Sequence, residues 1–445
     1  MSDYLVHLVS LGCPKTLVDS ENLLGLLAAQ GAEPTESPED ADVILVNTCA
    51  FLQSAVEEAV ENILALAEFK HTGRAKALVV LGCLTERYKG DIETSLPEVD
   101  LFWGSGGLDR LPGLIRDLLD EKPRGPIALP PPGFAPETAL PRLRSAPFFR
   151  AYLKIAEGCS NKCAYCLIPS LRGPRQSRPL NALIDESRAL ADSGVKELIL
   201  VAQDTTAYGR DLGKDVTLAR LLEPLNRIDG LEWIRVMYAY PNGTDAELIN
   251  ALANLDKVVP YLDLPLQHVS PNVVKRMGRP TKPDPLKLVE KLRRVVPDTA
   301  LRTTMMVGFP GETDRDFEQL MEFTAEAQFN HLGVFKFSPE PGVRAADFQD
   351  QVPQKIKETR RRKLMALQRR ISKQKNKELV GKILPVLIEG VSPETDLLLV
   401  GRTKYQAPEI DGQVYITSGT ASPGTILPVR ITKAHDYDLE GEIIE

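Results

Sequence analysis

The sequence has no apolar run near the roughly 20 residues that a membrane span requires. Its start, Met1-Ser2-Asp3-Tyr4, lacks the basic and apolar regions of a secretory signal. These two absences set the expectation of a cytoplasmic protein with no membrane partner. Basic residues are not in excess: the formal net charge is −7, a poor start for a nucleic-acid binder, although local patches remain open to that role. Histidine is scarce, with five residues, and no nucleophile–base constellation of an ordinary hydrolase stands out. Cysteine is scarce too, with six residues. In a reducing cytosol these are not expected to pair as disulfides.

What is present is enough for sizeable cores. Hydrophobic residues make up 43% and charged residues 26% of 445 residues, which argues against disorder. The length suggests about three domains.

The six cysteines divide into two groups of three. Cys159, Cys163 and Cys166 fall in Cys159-Ser160-Asn161-Lys162-Cys163-Ala164-Tyr165-Cys166, with Gly158 before and Pro169 after. The glycine and proline mark a loop, and a loop can turn three sulfurs toward one point. A cubic 4Fe–4S cluster takes one thiolate per iron, so three local ligands would leave one iron open. The spacing fits neither paired zinc knuckles nor a thioredoxin-type pair. Three clustered structural cysteines are the bland alternative.

Cys13, Cys49 and Cys83 form the second group. The runs 5–13, 43–49 and 77–83 read as buried strands, each ending in a cysteine. Helical patterns between them, 21–30 and about 54–69, imply a parallel sheet. Ligands of open α/β sheets bind outside the carboxyl ends of the strands, so these thiols are expected to converge on one crevice. Small buried residues at strand ends are the alternative. No cysteine is left outside the two triads.

Between 124 and 147, Pro126, Pro130, Pro131, Pro132, Pro136, Pro141 and Pro147 rule out regular helix or central strand. This reads as a semi-rigid linker. From 148, six strand patterns (152–157, 197–202, 233–240, 261–265, 301–307 and 332–337) alternate with helices at 183–193, 218–228, 245–253, 285–296 and 315–327. They suggest a partial or full β/α barrel with its site at the carboxyl ends of the strands. Candidates there are Gln203, Asp204, Tyr238, Gln267, His268, Gly308 and Glu312. Each has a plainer reading: Gln203 and Asp204 as helix caps, His268 as a structural histidine, Gly308 to Glu312 as a tight turn. The run Arg172-Gly173-Pro174-Arg175-Gln176-Ser177-Arg178 suits a carboxylate ligand or an exposed basic loop equally well.

Residues 355–377 hold eleven Lys or Arg and one acid, Glu358, in a helical pattern. This suits phosphate contact or a solvated connecting helix. Beyond 379, strand patterns at 383–389, 397–402, 412–417 and 425–432 alternate with turns and read as a small antiparallel barrel. The segment 379–445 carries five basic and ten acidic residues, net −5, which suits a basic protein partner better than phosphate.

Cys159, Cys163 and Cys166, with the aromatic Tyr165, resemble the signature of radical S-adenosylmethionine enzymes. The whole chain resembles the methylthiotransferases of that superfamily. The segments Ser10-Leu11-Gly12-Cys13-Pro14-Lys15, Ala151 to Cys159, and Ala407-Pro408-Glu409-Ile410-Asp411-Gly412 look like the ribosomal-protein branch, usually called RimO. Thr16 and Ser170 depart from that branch, where asparagine and a basic residue are usual. The resemblance implies a methylthiotransferase domain (1–123), the linker (124–147), a radical core with its basic helix (148–378), and a TRAM barrel (379–445). It implies two 4Fe–4S clusters, one on Cys159, Cys163 and Cys166 and an auxiliary one on Cys13, Cys49 and Cys83. Tyr165, Gln203, Gly308 and Glu312 are the expected cofactor-binding residues. The implied reaction puts a methylthio group on the β-carbon of an aspartate in ribosomal protein S-twelve. It consumes two S-adenosylmethionine, one as methyl donor and one as source of a 5′-deoxyadenosyl radical. A reductant such as flavodoxin or ferredoxin is implied, and contact with the small ribosomal subunit or RNA is open to the basic helix. The competing readings are a tRNA methylthiotransferase and, from another class, a non-enzymatic iron–sulfur or RNA-binding scaffold.

Overall fold

The computed structural model describes residues 3–122, 129–145 and 147–444. The chain begins with a five-stranded parallel sheet in the order β2-β1-β3-β4-β5. Its strands are β1 (Tyr4–Ser10), β2 (Ala32–Pro34), β3 (Val43–Thr48), β4 (Ala77–Gly82) and β5 (Leu101–Trp103). β3 and β4 are buried along their whole length, as expected for strands covered by helices on both faces. β1 stops at Ser10 rather than running through Cys13. Pro14 opens the helix Pro14–Ala28, because its fixed φ suits a first helical turn. That helix therefore starts seven residues before the expected Glu21. β2 and β5 were not expected from the pattern; three residues each are too short to show a period.

The middle of the chain is an open six-stranded parallel sheet, β13-β12-β11-β10-β9-β6. It runs through β6 (Arg150–Lys154), β9 (Glu197–Val201), β10 (Trp233–Val236), β11 (Val258–Asp263), β12 (Ala300–Val307) and β13 (His331–Lys336). Two short strands, β7 (Ala156–Glu157) and β8 (Gln176–Ser177), pair beside it. Helices Leu180–Asp192, Leu218–Asn226, Ala246–Asn254, Pro285–Val295 and Asp314–Ala327 cover the outer face. Leu183, Leu198, Leu221, Ile234, Leu262, Leu301 and Leu320 are fully enclosed in the core between helices and strands. The result is a partial β/α barrel.

The basic helix Gln354–Lys377 is amphipathic in use rather than in composition. Lys357, Arg360, Leu364, Gln368, Ile371 and Ser372 face inward. Gln368 and Ser372 donate to the carbonyls of Phe329 and Asn330, while Arg361, Arg362, Lys363, Arg369 and Arg370 are exposed. A closed barrel follows, in the order β14-β15-β16-β18-β17. Its strands are β14 (Ile383–Ser392), β15 (Thr395–Thr403), β16 (Val414–Ser418), β17 (Ile426–Ala434) and β18 (Leu439–Ile443). The last strand was not expected, because its acids, Glu440 and Glu442, mask the alternation.

The barrel is seated at the amino ends of the middle strands. Arg402 is buried between Glu197 (2.6 Å) and Glu389 (3.0 Å). Arg235 donates to Glu197 and to the Lys404 carbonyl, and Tyr261 donates to Asp411 at 2.7 Å. The cysteine loop therefore lies at the opposite, carboxyl ends.

The proline-rich segment expected as a linker over 124–147 lies partly outside the described residues. Its described part carries no helix or strand and is packed down. Arg142 pairs with Glu21 (2.5 Å) and Glu186 (2.9 Å), tying the first sheet's helix to the middle unit. Among the described residues, no helix is long and apolar enough to cross a membrane.

Candidate metal centres and active site

The loop after β7 starts at Gly158, whose φ is 71°. A Cβ there would lie 2.3 Å from the Pro174 carbonyl oxygen, so only glycine lets the chain turn here. The loop is pinned by backbone bonds from Cys159 N to the Gly173 oxygen (3.0 Å) and from Ala164 N to the Met277 oxygen (2.8 Å). Cys159, Cys163 and Cys166 line one cavity of about 190 Å³, with Tyr165, Gln203, Tyr238, Tyr240, Gln267 and Arg279 among its other walls. Larger cavities occur, one of about 370 Å³ between Arg302, His331 and Asp411 where the barrel is seated, but none of its walls is a thiol.

Burial pushes the Cys166 thiol up to about 12 and raises Cys159. Binding a metal must therefore displace protons from these thiols. Arg279 is the compensating charge. It donates to the Tyr165 hydroxyl (3.0 Å), lies 4.0 Å from the Cys163 sulfur, and stacks 4.1 Å from the Tyr240 ring centroid.

Tyr165 and Gln203, two of the expected cofactor residues, are in this cavity. Gln203 donates to Glu157 at 2.7 Å and leaves its Oε1 buried without a hydrogen-bond partner among the described residues. Gly308 and Glu312 are not among its walls. Gly308 has φ 73° and packs on Lys357, whose Cγ would lie 2.2 Å from a Cβ at this position. Glu312 turns back to accept from the Gly308 and Phe309 amides and faces Arg360 at 3.2 Å. Asp204 accepts from Asn161 at 2.8 Å, bracing the cysteine loop.

The second triad sits at the carboxyl ends of three adjacent strands, β1, β3 and β4. Cys13 caps the helix Pro14–Ala28, Cys49 follows β3, and Cys83 opens the helix Cys83–Tyr88. A Cβ on Gly12, whose φ is 124°, would lie 2.9 Å from Cys49 Cβ. The glycine thus lets the Cys13 and Cys49 loops approach. Burial, with smaller contributions from charge on Cys49 and Cys13, takes Cys83 up to about 11. Against the same cost of burial, Lys15 and Arg172 hold Cys13 below its usual range.

Arg172 joins the two triads. Its Nε donates to Cys83 Sγ at 3.3 Å, and its Nη2 to Thr16 Oγ1, which is 3.6 Å from Cys13 Sγ. Its Nη1 meets Asp19 at 2.7 Å and Glu157 at 3.4 Å. Lys154 pairs with the same two acids. Glu157 in turn accepts from Gly158 N and from Gln203. Lys154 and Arg172 hold Glu157 down to about 2 against the cost of burial. A run of buried bonds thus leads from Cys83 to the residue before Cys159. Lys15 lies on the same seam, its Nζ 3.7 Å from the ring centroid of Tyr238.

Both donor sets suit a cluster. Among the described residues, no group of three His, Cys, Asp or Glu side chains could hold a single metal ion. A cubane spreads its thiolates over separate irons, and each triad has a buried guanidinium beside it, Arg279 at Cys163 and Arg172 at Cys83. Arg172 was legible only as a basic residue near the cysteine loop. Arg279 and Lys15 carried no signal of their own role, because each acts across the fold on a distant partner.

Three family models match the chain: an uncharacterized protein family, UPF0004, over 5–104; the radical SAM superfamily over 153–324; and the TRAM domain over 380–444. Curated relatives match along the whole length. The ribosomal protein uS12 methylthiotransferase RimO of Geotalea uraniireducens is 50% identical over 442 residues, 99% of this chain and 98% of that protein. The proteins of the same name from Geobacter sulfurreducens and Myxococcus xanthus are 50% and 48% identical, over 99% of this chain and 98% and 92% of theirs. Among solved structures, the radical S-adenosylmethionine methyltransferase TsrM from Kitasatospora setae, with cobalamin and a 4Fe–4S cluster bound, superposes with a TM-score of 0.57. It is 17% identical and covers 76% of this chain and 75% of its own, a likeness of fold.

Proposed function

The chain belongs to the radical S-adenosylmethionine methylthiotransferases of the RimO family, and from that premise we propose that it replaces a β-carbon hydrogen of an aspartate in ribosomal protein uS12 with a methylthio group. What carries the reading is the meeting of two three-cysteine groups across one buried seam, in a chain 50% identical to a uS12 methylthiotransferase over 99% of its length. The family implies S-adenosylmethionine and a 4Fe–4S cluster; the second cluster is part of the proposal. Cys159, Cys163 and Cys166 would hold the first, and Cys13, Cys49 and Cys83 the auxiliary one. When bound, these groups supply the one-electron chemistry, the methyl and the sulfur, with two S-adenosylmethionine consumed per turnover.

The chain's own residues position and insulate. Arg279 offsets charge at Cys163, and Tyr165 and Gln203 shape the cavity wall against S-adenosylmethionine. Arg172 and Lys154 neutralise Asp19 and Glu157, so the seam stays closed without an unpaired carboxylate. Gly308 and Glu312 hold the turn and the basic helix that close the far side of the core.

The acidic barrel, net −5 over 379–445, would attract a basic ribosomal protein. The exposed arginines of the helix Gln354–Lys377 suit phosphate of ribosomal RNA. A flavodoxin- or ferredoxin-like donor would supply electrons, and the work would be done in the cytoplasm. On this reading the units are 1–123, 148–378 and 379–445, with 124–147 between the first two.

The test is a paired assay on protein reconstituted anaerobically with iron and sulfide, then reduced. One reaction receives uS12 and the other a tRNA anticodon stem-loop. A methylthio increment on a uS12 aspartate, found by mass spectrometry, is the expected result. An increment on the RNA alone would assign the substrate to the exposed face of the basic helix and overturn the proposal.

A further inference from the structure

Among the described residues, the buried cations around the two triads include Lys15, Lys154, Arg172, Arg178 and Arg279. The last four are committed. Lys154 and Arg172 share Asp19 and Glu157. Arg178 pairs with Glu186 at 2.6 Å. Arg279 is held by the Tyr165 hydroxyl and the Pro265 carbonyl.

Lys15 is different. It is 9% exposed, and no described carboxylate or hydrogen-bond acceptor meets its ammonium. Its contact is the face of Tyr238, at 3.7 Å. An aromatic face returns about 0.5–2 kcal/mol to a desolvated cation, well short of the cost of burying a charge alone. The ammonium thus keeps its donors free for an anion.

The position says which anion. Lys15 follows Cys13 by two residues, at the first turn of Pro14–Ala28. Tyr238 is a wall of the cavity that holds the other three thiols. Its backbone is set in the left-handed region (φ 57°) and held by Asp263. The free ammonium therefore stands between the two triads. A reaction that needs both triads must place its reacting carbon there. In aspartate the β-carbon is bonded directly to the carboxylate carbon, so a seat for the carboxylate also fixes the C–H bond.

Resting on the substrate reading above, we infer that Lys15 binds the side-chain carboxylate of the target aspartate and selects it over neutral side chains. A lysine suits this task, because a compact charge with three rotatable donors can follow the carboxylate without a fixed fork geometry.

The test measures equilibrium binding of uS12, and of uS12 with its target aspartate changed to asparagine, to the reconstituted enzyme. Wild type, Lys15→Met and Lys15→Arg are compared. Lys15→Met is expected to weaken the aspartate form by at least about tenfold and leave the asparagine form unchanged. Lys15→Arg should recover part of the loss, and iron content and cluster absorption should match wild type in both variants. In turnover, KM for uS12 should rise in Lys15→Met. Equal loss for both uS12 forms, or loss of iron, would overturn the inference and make Lys15 a counter-charge to the thiols of the second triad. Full binding and turnover by Lys15→Met would overturn it as well. A wild type that modifies the RNA and not uS12 defeats the substrate reading itself, and this inference with it.

Discussion

Arg172 Nε lies 3.3 Å from Cys83 Sγ, so a guanidinium from one unit donates to a thiol of another. The same side chain meets Asp19 and Glu157. It is at once a structural tie and a fixed charge in direct contact with the second triad.

Arg172→Gln should therefore act twice. Removing one partner from a buried charge network costs about 3–5 kcal/mol, read as a lower denaturant midpoint. Losing the positive charge should also make the auxiliary cluster harder to reduce, moving its potential to more negative values in film voltammetry. A potential equal to wild type would contradict the assignment of Arg172 to that cluster.

Gly158→Ala tests the first triad separately. Its Cβ would lie 2.3 Å from the Pro174 oxygen and 2.6 Å from the Gly173 oxygen, both backbone, so the loop must shift. The variant should lose iron from Cys159, Cys163 and Cys166 and stop cleaving S-adenosylmethionine. Iron at the second triad, followed spectroscopically, should remain. Normal cleavage would show that the loop tolerates the side chain.

Glu197 anchors the barrel, bonded to Arg235 at 2.7 Å and Arg402 at 2.6 Å. Against the cost of burial, Arg402 and Arg235 hold its carboxyl down to about 2. A lowered carboxyl contributes stability above its ordinary value of 4.5 and loses it as pH falls toward 2. Glu197→Gln leaves two buried guanidinium groups short of charge and should cost about 3–5 kcal/mol. Limited proteolysis after the helix Gln354–Lys377 should then release the barrel sooner than in wild type.

His268 and Glu312 face each other at 4.0 Å with opposite pH behaviour. Burial lowers His268 to about 4, consistent with its Nδ1 accepting the Ser270 amide at 3.1 Å. Its contribution to stability is lost as pH falls from 6.5 toward 4. Burial raises Glu312 to about 7, so its contribution is present at low pH and is lost as pH rises from 4.5 toward 7. The two oppose each other in the shared window. His268→Gln should gain stability between about pH 7 and about pH 5, by up to about 3 kcal/mol, and Glu312→Gln should lose it more steeply than wild type. Parallel pH profiles for all three proteins would contradict the pairing.

Much of this was legible because it is local. The strands at 43–48 and 77–82 open on unbroken apolar runs, Val43 to Val46 and Ala77 to Leu81, and the helix Asp314–Ala327 begins with a Thr313–Asp316 capping box. The CxxxCxxC spacing pointed to three thiols turned toward one place, and Cys159, Cys163 and Cys166 line one cavity. What was not legible depends on distant pairing. The basic run from Arg172 was read as a seat for an outside carboxylate or as an exposed basic loop, yet Arg172 is buried and the carboxylates it meets, Asp19 and Glu157, belong to the chain itself. Lys15 was legible only as part of the Ser10 to Lys15 segment, and its place over the Tyr238 ring depends on the fold. Cys13 was placed at a strand end, where Pro14 instead starts a helix and makes the cysteine its cap. Glu312 sits on a glycine–proline turn that suited a cofactor, but its carboxylate is spent on the turn and on Arg360.

On the proposed function, two triads hold separate clusters and divide the labour at one site. The most direct measurement is iron and acid-labile sulfide content, with 5′-deoxyadenosine and methylthio product, in the triple variant Cys13→Ala, Cys49→Ala, Cys83→Ala. Wild type should carry about eight irons and the variant about four. The variant should still cleave S-adenosylmethionine yet transfer no methylthio group. A variant that keeps the wild-type iron content, or that still methylthiolates uS12, would contradict the account.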